Sequence, residues 1–205
     1  MIKNLLFDLG GVIMDIRRDN CVRAFKKLGM EHPEEFLGEY SQKGPFMALE
    51  EGKITPEEFR AEIRGMLPAG VTDQEMDEAF CEFLIGIPVK RLRELEELRS
   101  RYKVYMLSNT NEIMWNSKIS EEFRKDGHEM DHYFDGVVTS FNAKALKPSP
   151  EIFEYAVEKL GINPAETLFF DDSEANVEAA RRLGFKAEVV EPGAEFSDIL
   201  LKSQK

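Results

Sequence analysis

Short apolar runs that stop abruptly at polar residues alternate along this chain with stretches whose apolar positions recur every three or four residues. Residues 2–7 form one such run, ending at Asp8 and followed by Gly10 and Gly11. A buried strand that ends at a carboxylate and a glycine turn fits this pattern. Residues 104–107 run into Ser108 and Asn109, and residues 167–170 run into Asp171 and Asp172. Residues 136–139 read as a weaker strand and residues 185–190 as a last one. Between them lie helical patterns. Residues 88–101 place Leu92, Leu95 and Leu98 on one face. Ser149 precedes Pro150 at a helix start, and Gly161 ends that helix; Ser173 and Gly184 bound another.

Strands alternating with helices predict an α/β fold with a doubly wound, mostly parallel sheet. One stretch breaks the alternation. Residues 17–86 show no convincing strand, only amphipathic helical patterns. Residues 21–28 give one helix. Thr55-Pro56-Glu57-Glu58 is a capping box with proline at the first helical position, and Phe59, Ile63 and Met66 follow on one face. The expected organisation is a core of residues 1–16 plus 87–205, with residues 17–86 as an all-helical insert.

Composition narrows the class. With 39 acidic against 27 basic residues, the chain carries a net charge of −12, which disfavours a nucleic-acid partner. A single local cation suffices for a small phosphorylated ligand. Cys21 and Cys81 lie in no metal or redox spacing and read as reduced residues of a cytoplasmic protein. The first apolar run is broken by Asp8, so no signal peptide is read there, and nothing approaches a membrane span.

Candidate chemistry concentrates where strands end. In an open parallel sheet, ligands bind outside the carboxyl ends of the strands. Asp8, Ser108-Asn109 and Asp171-Asp172 all fall there, where a shared rim spares them unpaired burial. Carboxylates at such a rim suit Mg²⁺, a hard cation that takes oxygen ligands. Asp8, Asp172 and a backbone carbonyl would ligate it, with Asp171 as ligand or support. Asp8 is then placed to attack phosphorus. Lys147 supplies fixed positive charge, while Ser108, Asn109 and the backbone amides after Asp8 hold phosphate oxygens.

Four segments, taken in order, resemble the motifs of the haloacid dehalogenase superfamily. They are Phe7-Asp8-Leu9-Gly10-Gly11-Val12, Leu107-Ser108-Asn109-Thr110, Lys147-Pro148-Ser149-Pro150-Glu151-Ile152-Phe153 and Phe169-Phe170-Asp171-Asp172-Ser173. The resemblance implies a Rossmann-like core with a helical cap above the active site, and a Mg²⁺-dependent phosphatase acting on a small phosphorylated metabolite such as a sugar phosphate. It implies Asp8 as nucleophile, Ser108 and Lys147 as phosphate holders, and Asp172, with Asp171 and the Gly10 carbonyl, as metal ligands. The Asp-Leu-Gly-Gly-Val-Ile form is also similar to bacterial α-D-glucose-1-phosphate phosphatases.

One position departs from the pattern. Most phosphatases of this superfamily carry an acid/base Asp two residues after the nucleophile, and here Gly10 stands there. Three consequences are open: a substrate whose leaving group scarcely needs a proton, a substitute acid such as Asp15 or a cap residue, or a protein that binds without turnover. The first favours sugar 1-phosphates over 6-phosphates. A metal-independent dehalogenase is the remaining alternative, disfavoured by Gly10 and the Asp171-Asp172 pair. Trp115 is expected to pack, His128 and His132 to lie on an exposed connection, and Asn176 to support the metal ligands. Oligomeric state is open.

Overall fold

The computed structural model describes residues 1–38 and 41–203. In chain order the elements are β1 (Asn4–Phe7), β2 (Asp15–Ile16), α1 (Arg18–Lys27), α2 (Gly44–Glu50), α3 (Pro56–Arg64), α4 (Asp73–Cys81) and β3 (Leu84–Gly86). Then follow α5 (Val89–Arg99), β4 (Lys103–Ser108), α6 (Glu112–Met114), a π-helical turn (Trp115–Ile119), α7 (Ser120–Arg124), β5 (Gly136–Thr139) and α8 (Ser140–Ala143). The chain closes with α9 (Pro150–Leu160), β6 (Thr167–Asp171), α10 (Glu174–Arg182), β7 (Lys186–Val189) and α11 (Phe196–Ser203).

Among the described residues, five strands form one sheet in the order β5-β4-β1-β6-β7, with every neighbouring pair parallel. Successive side chains of a strand face opposite sides of the sheet. Leu5 and Phe7 therefore enter one buried cluster, with Val104, Met106, Leu168 and Phe170, while Leu6 enters the other with Leu107, Phe169, Ile152 and Val177. Strand β1 is central, and the chain crosses to β4 on one side and β6 on the other. Phe7 is level with both Met106 and Phe170, so the residues that follow these strands emerge at one rim.

The expected strand at residues 2–7 begins at Asn4. The helical stretch holds α1 to α4, and its own apolar centre is aromatic. The Phe46 ring lies 5.4 Å from Phe25, 5.0 Å from Phe59 and 5.1 Å from Phe80, edge-on to each. The capping box at Thr55 forms as the sequence predicts, with Glu58 N–H donating to Thr55 Oγ1 and Thr55 N–H donating to Glu58 Oε2 at 2.8 Å. A second, at Thr72 and Glu75, was not foreseen.

The reading of residues 17–86 as strand-free needs correction. Strand β3 lies inside that range and pairs antiparallel with β2, Asp15 opposite Gly86. This two-stranded ribbon joins the points where the chain leaves the core and returns to it. Strands of two and three residues are too short to establish a hydrophobic alternation, so they leave no periodic signal. Ser149 and Ser173 do occupy N-cap positions, but neither side chain makes the capping hydrogen bond.

Candidate active site

Asp8 leaves the end of β1 with its N–H donating to Phe170 O at 2.8 Å, which fixes it beside β6. The chain then turns tightly. Ile13 and Met14 N–H both reach back to Leu9 O, and Gly11 N–H donates to Met14 O at 2.9 Å. Gly11 adopts φ +76°, and a Cβ there would lie 2.2 Å from Asp172 Oδ2. Glycine is thus required twice over, for the backbone angle and for the approach of that carboxylate. Gly10 has neither constraint, since its added Cβ would meet only Ile16 at 3.5 Å.

Lys147 crosses to Asp8 from the loop before α9. Its ammonium lies 2.7 Å from Asp8 Oδ1 and 2.7 Å from Asp171 Oδ2, and all three residues are buried. Asn109 sets that loop: Lys147 N–H donates to Asn109 Oδ1 at 2.9 Å, and Asn109 Nδ2 donates to Lys147 O at 3.0 Å. Both ends of the Asn109 amide are engaged with the lysine backbone, so its side chain positions Lys147. Asp171 is wholly buried and also accepts from Ser173 N–H and from Asn176 Nδ2, each at 2.9 Å. The expected support from Asn176 therefore reaches Asp171.

Carboxylate oxygens of Asp8, Asp171 and Asp172 lie within 4.8 Å of one another. An all-oxygen donor set of this kind fits a hard divalent cation. Burial pushes the Asp8 carboxyl up to about 7; Lys147 opposes this, and Asp171 and Asp172 add to it. Burial would lower the Lys147 ammonium, but Asp171 and Asp8 hold it above its usual range. Three carboxylates facing one ammonium leave an excess of negative charge that a bound cation would relieve.

The rim residues open onto a cleft shared with the helical segment. Asp8, Gly10, Ser108, Lys147 and Asp172 line it together with Gln42, Glu50 and Phe83. Sequence reasoning missed Gln42 and Glu50. A signal existed: Phe46, Leu49 and Glu50 fall at i, i+3 and i+4 on the buried face of α2, where a charged residue is out of place. Asp15 is exposed on β2 and is absent from the residues lining the cleft. His128 and His132 stack at 3.8 Å far along the chain's surface, where His132 Nε2 lies 3.1 Å from Glu96. Trp115 packs edge-on against Phe141.

Residues 2–184 match the family model of the haloacid dehalogenase-like hydrolases. The chain belongs to that family. It is 38% identical over 196 residues to the D-ribitol-5-phosphate phosphatase of Bacteroides thetaiotaomicron, covering 96% of this chain and 95% of that protein. Among solved structures, a wild-type HAD family enzyme from Bacteroides thetaiotaomicron, in complex with magnesium and inorganic phosphate, matches at TM-score 0.90 and 41% identity, covering 97% of this chain and 99% of that one. A HAD-like family hydrolase from Porphyromonas gingivalis matches at TM-score 0.90 and 35% identity, covering 100% and 98%. No helix of the described residues is long and apolar enough to cross a membrane.

Proposed function

We propose that this Mg²⁺-dependent phosphohydrolase removes the phosphoryl group from a small phosphorylated sugar or polyol, with transient transfer of that group to Asp8. The observation that carries this reading is the Asp8 carboxylate at the sheet rim, 2.7 Å from the Lys147 ammonium and grouped with Asp171 and Asp172. Mg²⁺ would be held by Asp8, Asp172 and the Gly10 carbonyl, where it would offset the repulsion between Asp8 and a phosphate dianion. Asp171 orients Lys147 and shares its charge.

Asp8 attacks phosphorus through one carboxylate oxygen, and the phosphorus–oxygen bond to the alcohol breaks. Lys147 and the Ser108 hydroxyl hold the phosphoryl oxygens as charge shifts among them. Water then attacks the phosphoryl-Asp8 and returns the carboxylate. Residues 17–86 serve as a cap that closes over the cleft and selects substrate. The β2–β3 ribbon at its two boundaries and the cap residues Gln42 and Glu50 facing Asp8 support this division.

Gly10 on its own favours phosphates with acidic leaving groups. The D-ribitol-5-phosphate phosphatase carries a name that specifies a primary alkyl phosphate, so we place polyol and sugar phosphates of that type ahead of sugar 1-phosphates. The test is a screen of phosphorylated sugars and polyols with Mg²⁺, following phosphate release. Turnover of primary polyol phosphates, abolished by chelation and restored by Mg²⁺, is the expected result. No release from any phosphate ester would leave a binding protein, and full activity in excess chelator would end the mechanism.

A further inference from the structure

The cleft holds a carboxyl group that the proposed reaction has not yet used. Glu50 ends α2 with its helix face turned inward beside Phe46 and Leu49, and only 8% of it is exposed. Its side chain makes no hydrogen bond or ion pair with any described residue, and it lines the same cleft as Asp8, Gly10 and Lys147. An unpaired carboxyl this deep is costly when ionised and far cheaper as the neutral acid. Burial alone pushes it up to about 8, so it carries a proton at neutral pH.

Departure of an alkoxide needs such a proton, because an ordinary alcohol is a very weak acid. The other described groups lining the cleft cannot supply it. Asp8 is the nucleophile and Asp172 would hold the metal. Lys147 is pinned between two carboxylates at 2.7 Å. Ser108 and Thr110 are themselves alcohols, and Gln42, Asn109 and Asn176 are amides. Resting on the phosphatase reading, we infer that Glu50, carried in from the helical cap, is the general acid and base of this enzyme.

The step balances. As the Asp8 oxygen bonds to phosphorus, the bond from phosphorus to the leaving oxygen breaks, and the Glu50 proton passes to that oxygen. The alcohol leaves neutral and Glu50 becomes a carboxylate. It then takes a proton from the attacking water as the water oxygen bonds to phosphorus and the Asp8–phosphorus link breaks. Phosphate departs, Asp8 is a carboxylate again and Glu50 is protonated again. The acid sits on the cap, so it reaches the leaving group only with the cap closed over substrate, which suppresses loss of phosphoryl-Asp8 in the open state.

The experiment compares wild type and Glu50→Gln with Mg²⁺ on three probes: ribitol 5-phosphate, propyl phosphate and p-nitrophenyl phosphate. The amide keeps the size and hydrogen bonding of the acid but donates no comparable proton. General acids contribute about 10²–10⁴-fold. Glu50→Gln should therefore slow first-turnover release of the alcohol at least 10²-fold with both alkyl phosphates and release of p-nitrophenol far less, since that leaving group needs no proton, while hydrolysis of phosphoryl-Asp8 should slow alike on all three. An equal slowing of first-turnover leaving-group release on all three probes would overturn the inference. So would a KM increase confined to ribitol 5-phosphate, because that marks a hydroxyl-binding residue. Wild type gives an independent reading if the variant misfolds: its rates on propyl and p-nitrophenyl phosphate should differ modestly, and a steep preference for the aryl ester refutes an effective acid. Failure of wild type on every probe would instead sink the phosphatase reading itself.

Discussion

At the scale of single residues, the site sets charge against burial. Asp8, Lys147 and Asp171 form a buried chain of charges, and each is tolerable only because the others are present. Asp8→Asn removes the carboxylate proposed as nucleophile but keeps size and shape. It should abolish phosphate release while circular dichroism and the thermal transition show an intact fold; retained wild-type rates would rule out the covalent route. Glu50 makes a different bargain. Its folded-state pKa, about 8, lies above the ordinary 4.5. Between those values the folded state binds more protons than the unfolded one, so stability falls as pH rises through that window. Glu50→Gln should leave stability nearly unchanged below about pH 4.5 and raise it by on the order of a few kcal/mol at pH 8. Urea titrations at both pH values measure this, and a variant no more stable than wild type at pH 8 would show Glu50 to be comfortably ionised. Gly10 is free of the constraint that governs Gly11, so Gly10→Asp should fold, whereas Gly11→Ala should disturb Asp172 and weaken Mg²⁺ binding measured by calorimetry.

At the scale of elements, a buried side chain braces the junction between core and helical segment beside the β2–β3 ribbon. Glu122 on α7 accepts from Ile87 N–H at 2.7 Å, directly after β3, and pairs with Lys125 at 2.5 Å. Gly86, at φ +151°, leaves room for that carboxylate, since a Cβ there would lie 2.7 Å from Glu122 Oε2. Removing the acceptor strands a buried N–H, which costs about 1–3 kcal/mol. Glu122→Ala should lower urea stability by that amount. A change below about 0.5 kcal/mol would show that water replaces the bond without cost. The junction was not legible as structure in advance, because β2 and β3 are too short to carry a pattern and Glu122 meets Ile87 only through the fold. The helix starts at Thr55 and Pro150 were legible, since each is set by contacts within four residues of sequence.

At the scale of the whole molecule, the parallel sheet brings strand ends far apart in sequence to one rim and the helical segment covers it. Charge gathers there without regard to the net −12 of the chain. A ligand bound only by the folded state stabilises it in proportion to the logarithm of its concentration over Kd. Millimolar Mg²⁺ should therefore raise the thermal midpoint of wild type and should raise it little in Asp172→Asn. An equal rise in both proteins would show that the ion binds elsewhere.

The sequence by itself determined the alternation of strand and helix, the helical stretch that interrupts it and the polar residues that end β1, β4 and β6. Those features rest on local backbone preference, on short unbroken apolar runs and on a hydrophobic period of three to four residues, which neighbours in the chain define. It also carried Asp8, Asp171 and Asp172 to one expected place, because parallel strands must end on the same side. Tertiary structure alone decided that Asn109 turns both ends of its amide to Lys147 and that Asp172 rests on the bare backbone of Gly11. It alone decided that Glu50 lines the same cleft as Asp8 while Asp15 stays in solvent. Those outcomes depend on which surfaces of two separately patterned regions meet, and burial, which decides whether a carboxyl keeps its proton, exists only after they have met.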